Sequence, residues 1–193
     1  MFGLFKRRQK NVKKQIRPIT LQDFIGQENA KLILGVALNG AKQRGSRLEH
    51  IIIYGPPGLG KTTLANIIAT EMRSKLHTSI GTALQKQTDI VDLFEDVFEG
   101  DIIFIDEIHR IPVKLEELLY TAMEDGYIDL GKERMDIPSF TLIGATTRLG
   151  DLSEPLRDRF GIQLRLELYS QDELIQIALR TASVLGITMT YDG

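Results

Sequence analysis

Gly55-Pro56-Pro57-Gly58-Leu59-Gly60-Lys61-Thr62 follows the apolar run Ile51-Ile52-Ile53-Tyr54 and precedes a helix-like stretch beginning at Thr63. Two glycines five positions apart, followed by Lys and Thr, form the P-loop pattern, and an apolar strand before it with a helix after it is the setting that pattern requires. The glycines let the backbone wrap a polyphosphate so that successive N–H groups and the positive end of the next helix meet its oxygens. Lys61 then reaches the β- and γ-phosphates and the Thr62 hydroxyl serves Mg²⁺. The alternative, a glycine-rich turn with a chance Lys-Thr, does not account for Leu64, Ala65, Ile67 and Ile68 continuing as one apolar helix face.

Outward from that loop, strand and helix signals alternate, as in α/β proteins. Ala30, Ile33, Leu34, Ala37, Leu38 and Ala41 give Gln27 to Arg44 a helical period, with Gly45 as its stop. The P-loop helix is expected to reach Arg73, with a strand over Leu76 to Ile80 and a helix near Asp89 to Phe98. Val113 to Met123 reads as a further helix, and Tyr127 to Ile137 as a hairpin turning at Gly131-Lys132. A strand over Ile162 to Leu168 and a helix from Ser170 to Leu185 complete the pattern.

Ile102-Ile103-Phe104-Ile105-Asp106-Glu107 is a continuous apolar run, as expected of a strand buried on both faces, and it ends in two acids. Ligands of open α/β sheets bind at the C-terminal ends of the strands. Asp106 is therefore a candidate for Mg²⁺, mostly through water, and Glu107 for orienting or deprotonating the water that attacks a γ-phosphate. His109 is a lone loop histidine and reads as structural. The strand Phe140 to Ala145 delivers Thr146, Thr147 and Arg148 to the same edge, either to sense the γ-phosphate or as an ordinary strand exit with a Thr cap. Arg157 and Arg159 flank Asp158, a placement that suits either a developing phosphate charge or a surface ion pair.

The formal net charge of −2 conceals an asymmetry. Lys6, Arg7, Arg8, Lys10, Lys13, Lys14 and Arg17 fall in the first seventeen residues without one acid, so the remainder is acidic. Such a tail can bind nucleic acid or stay solvated, and Phe2, Leu4 and Phe5 beside it can touch a membrane or a partner groove. The 193 residues contain no cysteine, which excludes disulfides, thiolate zinc and a Cys nucleophile. No apolar run approaches the roughly 20 residues of a bilayer span, and the expected setting is cytoplasmic with no need of a membrane.

Taken together, Arg17-Pro18, Phe24-Ile25-Gly26-Gln27, Tyr54 to Ala65, Phe104 to Arg110, Met123-Glu124-Asp125, Gly144 to Arg148 and Leu156 to Ile162 resemble the AAA+ ATPases, and more narrowly the RuvB-type Holliday-junction branch-migration motors, over roughly Ile16 to Gly186. The resemblance implies a three-layer α/β/α P-loop NTPase with a five-stranded parallel sheet. It divides the chain into a basic flexible tail (1–15), an AAA+ large domain (16–168) and the first helix of a shortened lid domain (169–193).

The implied function is an ATP-hydrolysing motor core in a homo-oligomeric, hexameric ring that drives branch migration in DNA recombination and repair. ATP or ADP and Mg²⁺ are the implied ligands. Position by position, Gly55, Pro57, Gly58, Leu59, Gly60, Lys61, Thr62 and Thr63 correspond to the nucleotide-binding stretch, Asp106 and Glu107 to the Walker B pair and Thr147 to sensor 1. Arg159 corresponds to the arginine finger that acts on a neighbouring subunit's ATP. Ile16 and Arg17 flank the adenine, and Glu124, Asp125 and Tyr169 match further nucleotide contacts.

Two departures bear on the transfer. The stretch between Asp125 and Phe140 is shorter than in typical RuvB and lacks its Gly-Lys-Gly-Pro turn, so the resemblance does not carry docking of a RuvA partner there. The chain also stops after the first lid helix, before the sensor 2 arginine and the winged-helix domain of the family, so junction DNA is expected to be held through parts outside this chain. Two rival readings keep the nucleotide site but change its use: a clamp-loader-like or remodelling subunit, or an assembly module with little turnover.

Overall fold

The computed structural model describes residues 16–131 and 133–188; the expected basic tail (1–15), Lys132 of the expected hairpin turn and the last five residues lie outside the described residues. In chain order the elements are α1 (Glu28–Arg44), β1 (Ile51–Tyr54), α2 (Lys61–Met72), β2 (Leu76–Ile80), α3 (Gln87–Glu95), β3 (Ile102–Asp106), α4 (Val113–Asp125), β4 (Tyr127–Asp129), β5 (Arg134–Asp136), β6 (Thr141–Thr146), α5 (Glu154–Asp158), β7 (Ile162–Arg165) and α6 (Gln171–Leu185). Five strands form one parallel sheet in the order β2-β3-β6-β1-β7. β1 is interior, between β6 and β7, which is why Ile51, Ile52 and Ile53 are fully buried. β4 and β5 pair separately as the short antiparallel hairpin.

The two faces of the sheet carry two cores. Successive side chains of a strand point to opposite faces, so Ile51 and Ile53 pack with Leu34 and Leu38 of α1 and Leu64 and Ile68 of α2. Ile52, Ile103 and Ile105 pack on the other face with Phe94 of α3, Leu119 of α4 and Leu156 of α5. Full burial of each such isoleucine contributes about 1.5–3 kcal/mol, and these residues fix the strands whose ends hold the site.

Some boundaries differ from the sequence expectation for local reasons. α3 starts before Asp89 because that carboxylate accepts the Gln85 and Lys86 N–H groups at 2.8 Å each, capping the helix from its first turn. β7 ends at Arg165 rather than Leu168; after Leu166 N–H donates to the Tyr54 carbonyl at 2.8 Å, the chain leaves the ladder. α6 begins as expected, with Ser170 Oγ accepting the Glu173 N–H at 3.3 Å and Glu173 accepting the Ser170 N–H at 2.7 Å. Among the described residues no helix is long and apolar enough to cross a membrane.

Candidate nucleotide-binding site

The loop from Gly55 to Gly60 links the C-terminal end of β1 to α2, and the helix begins at Lys61, two residues earlier than expected, with Gly60 as its N-cap at φ 96°. No side chain caps that end, so its N–H groups are left to meet an anion. Two glycines here are sterically required: a Cβ on Gly55 would lie 2.4 Å from the Leu166 carbonyl oxygen, and one on Gly60 would lie 2.9 Å from Phe24 Cζ. Tyr169 donates its hydroxyl to the Leu59 carbonyl at 3.0 Å and so braces the loop from the segment preceding α6. Burial pushes the Tyr169 phenol above its usual pKa.

Lys61 is buried at 7% exposure, and its ammonium donates to the carbonyls of Gly55 and Pro56 at 2.9 Å each. Burial lowers its pKa, while Glu107 and Asp106 nearby act in the opposite sense and favour the cation. β3 ends beside the loop. Thr62 Oγ1 donates to Asp106 Oδ2 at 3.4 Å, and Asp106 Oδ1 accepts the Glu107 N–H at 3.0 Å. One hydroxyl and one carboxylate, both hard oxygens, fit Mg²⁺, which keeps several waters and takes its remaining ligands from phosphate. Among the described residues no group of three or more His, Cys, Asp or Glu forms a cage for a metal.

Glu107 adopts φ 48°, a left-handed conformation that costs a non-glycine residue of order 1–3 kcal/mol and tends to persist at functional sites. Thr147, one residue past β6, donates to Glu107 Oε2 at 3.3 Å. The structure thus brings Lys61, Thr62, Asp106, Glu107 and Thr147 to the shared C-terminal edge of β1, β3 and β6. His109, expected to be structural, also belongs to this cluster: Nδ1 lies 2.8 Å from Thr146 Oγ1 and 3.4 Å from Glu107 Oε2. Arg148 instead reaches outward to Asp151 at 3.6 Å.

A second recess adjoins the loop, lined by Ile16, Phe24, Gly58, Thr63, Tyr169 and Arg180. Ile16 and Tyr169 line it, whereas Arg17 is exposed and does not. Arg180 and Phe24 were not legible as site residues: Arg180 reaches back 164 positions to donate to the Ile16 carbonyl at 2.6 Å, a contact no local pattern announces. A wider groove of about 780 Å³ lies between the C-terminal ends of α1 and α2 and contains no P-loop residue.

Glu124, Asp125 and Arg159 are not brought to the loop. Arg159 caps α5 just before β7, whose Ile162 pairs with Ile51 at the start of β1. Glu124 follows Met123, whose carbonyl lies 3.4 Å from Nε2 of His50, the residue before β1. Arg159 and Glu124 form an ion pair there. The P-loop lies past the opposite end of β1, and four residues at about 3.3 Å each put roughly 13 Å or more between the two edges. Within one chain the arginine cannot reach phosphate held at Lys61.

A family model described as the Holliday junction DNA helicase RuvB P-loop domain matches residues 16–166. The RuvB subunit of the Holliday junction branch migration complex of Phytoplasma mali is 52% identical over 179 residues, covering 89% of this chain and 54% of that protein. The corresponding subunit of Fusobacterium nucleatum is 46% identical over 190 residues, covering 94% and 57%. Among solved structures, the Thermotoga maritima RuvB Holliday junction branch migration motor superposes with a TM-score of 0.83 at 49% identity, covering 91% of this chain and 56% of that one. A point mutant of the same protein gives 0.86 at 50% identity, with 90% and 57% covered. The chain spans about half the length of the curated relatives it matches.

Proposed function

The chain belongs to the Holliday junction DNA helicase RuvB P-loop domain family, and from that membership we propose that it is the ATP-binding and ATP-hydrolysing core of an AAA+ motor that drives branch migration of DNA junctions. The observation that carries the reading is the division of parts between the two sheet edges: Lys61, Thr62, Asp106, Glu107 and Thr147 at one, Arg159 at the other. Such a chain completes its site only by placing one edge of a copy against the other edge of the next, a head-to-tail contact that generates rings.

In this reading the loop N–H groups and the α2 N-terminus bind the β- and γ-phosphates, and Lys61 exchanges its carbonyl partners for phosphate oxygens. Thr62 and Asp106 hold Mg²⁺, which when bound neutralises developing charge on the phosphates. Glu107 takes a proton from the attacking water, and Thr147 fixes one of its carboxylate oxygens so that the other faces the water. Arg159 of the neighbouring copy stabilises the charge that spreads over the transferred phosphoryl group. Ile16 flanks the base and Tyr169 contacts the nucleotide beside it, with Glu124 and Asp125 contacting nucleotide across the same interface as Arg159. Further copies of this chain and a four-way DNA junction are the proposed partners, in a cytoplasmic setting.

The test is single-turnover hydrolysis of Mg·ATP, with and without a four-way junction, by the wild-type chain and by Glu107→Gln. We expect equal ATP binding and a rate lower by roughly 10²-fold or more in Glu107→Gln. Stimulation of the wild type by junction DNA would favour the branch-migration reading over a clamp-loader-like or remodelling role. Binding without turnover in the wild type, even under conditions that force assembly, would favour a nucleotide-dependent assembly module.

A further inference from the structure

His109 lies in the turn Ile108–Arg110, three residues after Asp106, with its side chain 7% exposed. Its Nδ1 lies 2.8 Å from Thr146 Oγ1 and 3.4 Å from Glu107 Oε2. The Thr146 oxygen is itself fixed, because it accepts the Arg148 N–H at 2.9 Å and is fully buried. A carboxylate can only accept hydrogen bonds, so the imidazole tautomer that attracts Glu107 is the one with its proton on Nδ1, the nitrogen that lies between Thr146 Oγ1 and Glu107 Oε2. Glu107 Oε2 accepts the Thr147 hydroxyl at 3.3 Å and has His109 Nδ1 within 3.4 Å on another side. Glu107 also sits on a left-handed backbone, so its side chain is aimed by a conformation that neighbouring contacts must hold in place.

We propose that His109 is a positioning residue for Glu107: anchored on Thr146, its Nδ1–H pins carboxylate oxygen Oε2 together with Thr147 and leaves Oε1 to take the proton of the attacking water. This rests on the reading of Glu107 as the group that deprotonates that water. His109 touches neither nucleotide nor water in this scheme, so its loss changes the rate of the chemical step and leaves Mg·ATP affinity alone. The polar groups on the two strand ends, Glu107 from β3 and Thr146 and Thr147 from β6, are thus joined by one ring, and a slip between those strands would misaim the carboxylate.

Three substitutions test it on the full chain under assembling conditions, read as single-turnover rate and as affinity for a fluorescent ATP analogue. His109→Asn puts an amide close to where Nδ1 stands, His109→Gln puts one nearer Nε2, and His109→Phe keeps the ring without a donor. Because a displacement of about 1 Å at a reacting group can cost on the order of 10²-fold, His109→Phe and His109→Gln should lose about 10-fold or more in rate, while His109→Asn stays within about 3-fold of wild type and all three bind ATP equally. Wild-type rates in His109→Phe and His109→Gln overturn the proposal, as do equal losses in all three variants or a loss confined to affinity. If His109→Phe does not fold, the Asn–Gln contrast decides by itself. Glu107→Gln is measured alongside: if it turns over like wild type, the reading of Glu107 falls and His109 with it, whereas a dead Glu107→Gln beside fully active His109 variants sinks only the proposal made for His109.

Discussion

Arg159→Ala should separate binding from hydrolysis, because Arg159 lies roughly 13 Å or more from the P-loop of its own chain. A monomer carrying it should bind ATP as wild type does. Its folding cost is small: the pair it breaks with Glu124 has side chains 38% and 48% exposed, and exposed pairs contribute about 1 kcal/mol or less. For a chain of this length that is a fall in Tm of about 2–4 °C at most. In the assembled state, by contrast, removal of an arginine finger costs roughly 10³-fold or more in hydrolysis. The assay mixes Arg159→Ala with Glu107→Gln subunits under conditions that force assembly. Neither hydrolyses alone, yet some mixed interfaces pair an intact Glu107 with an intact Arg159 from the next copy, and activity should return. Mixed oligomers that demonstrably form and remain inactive would refute action between subunits, leaving Arg159 as the partner of Glu124 and nothing more.

Three further outcomes are expected. Lys61→Ala should abolish nucleotide binding, since loss of a buried charge facing phosphate costs about 2–5 kcal/mol; unchanged affinity for a fluorescent ATP analogue would remove the P-loop assignment. In sedimentation at rising concentration, with and without a non-hydrolysable analogue, the 193-residue chain should be largely monomeric and a weak ATPase, and a stable hexamer with brisk turnover would contradict this. Burial, reinforced by Arg47, holds the His50 pKa at about 4 against an ordinary 6.5, so His50 is neutral when folded. Its contribution to stability is complete above pH 6.5 and is lost as pH falls toward 4, by at most about 3 kcal/mol. Urea unfolding of wild type and His50→Asn between pH 7.5 and 4.5 checks this, and equal pH slopes would exonerate His50.

The parallel sheet was legible because strands buried on both faces must be apolar at every position; Ile51–Ile53 and Ile102–Ile105 could be read with no partner in view. β7 was harder. As an edge strand it alternates buried and exposed residues, and the apolar Leu166 and Leu168 beyond it resemble a continuation although the chain has already turned toward α6. The loop residues were legible because phosphate chemistry constrains consecutive positions. His109 and Arg180 were not, since their partners lie 37 and 164 positions away and meet them only once the sheet edge and α6 are in place. Arg159 was legible as an arginine near a strand, but only the strand polarity shows which edge it occupies.

Two contacts fasten the loop to the chain that leads into α6: the close approach of Gly55 to the Leu166 carbonyl and the hydrogen bond from Tyr169 to Leu59. They make Tyr169 the fulcrum of a lever. The fifteen residues of α6 extend about 22 Å at 1.5 Å per residue, so a rotation of about 5° at Tyr169 sweeps the far end through roughly 2 Å. A displacement of the loop backbone too small to disturb its own hydrogen bonds would, carried along that length, reach the scale on which side chains exchange neighbours.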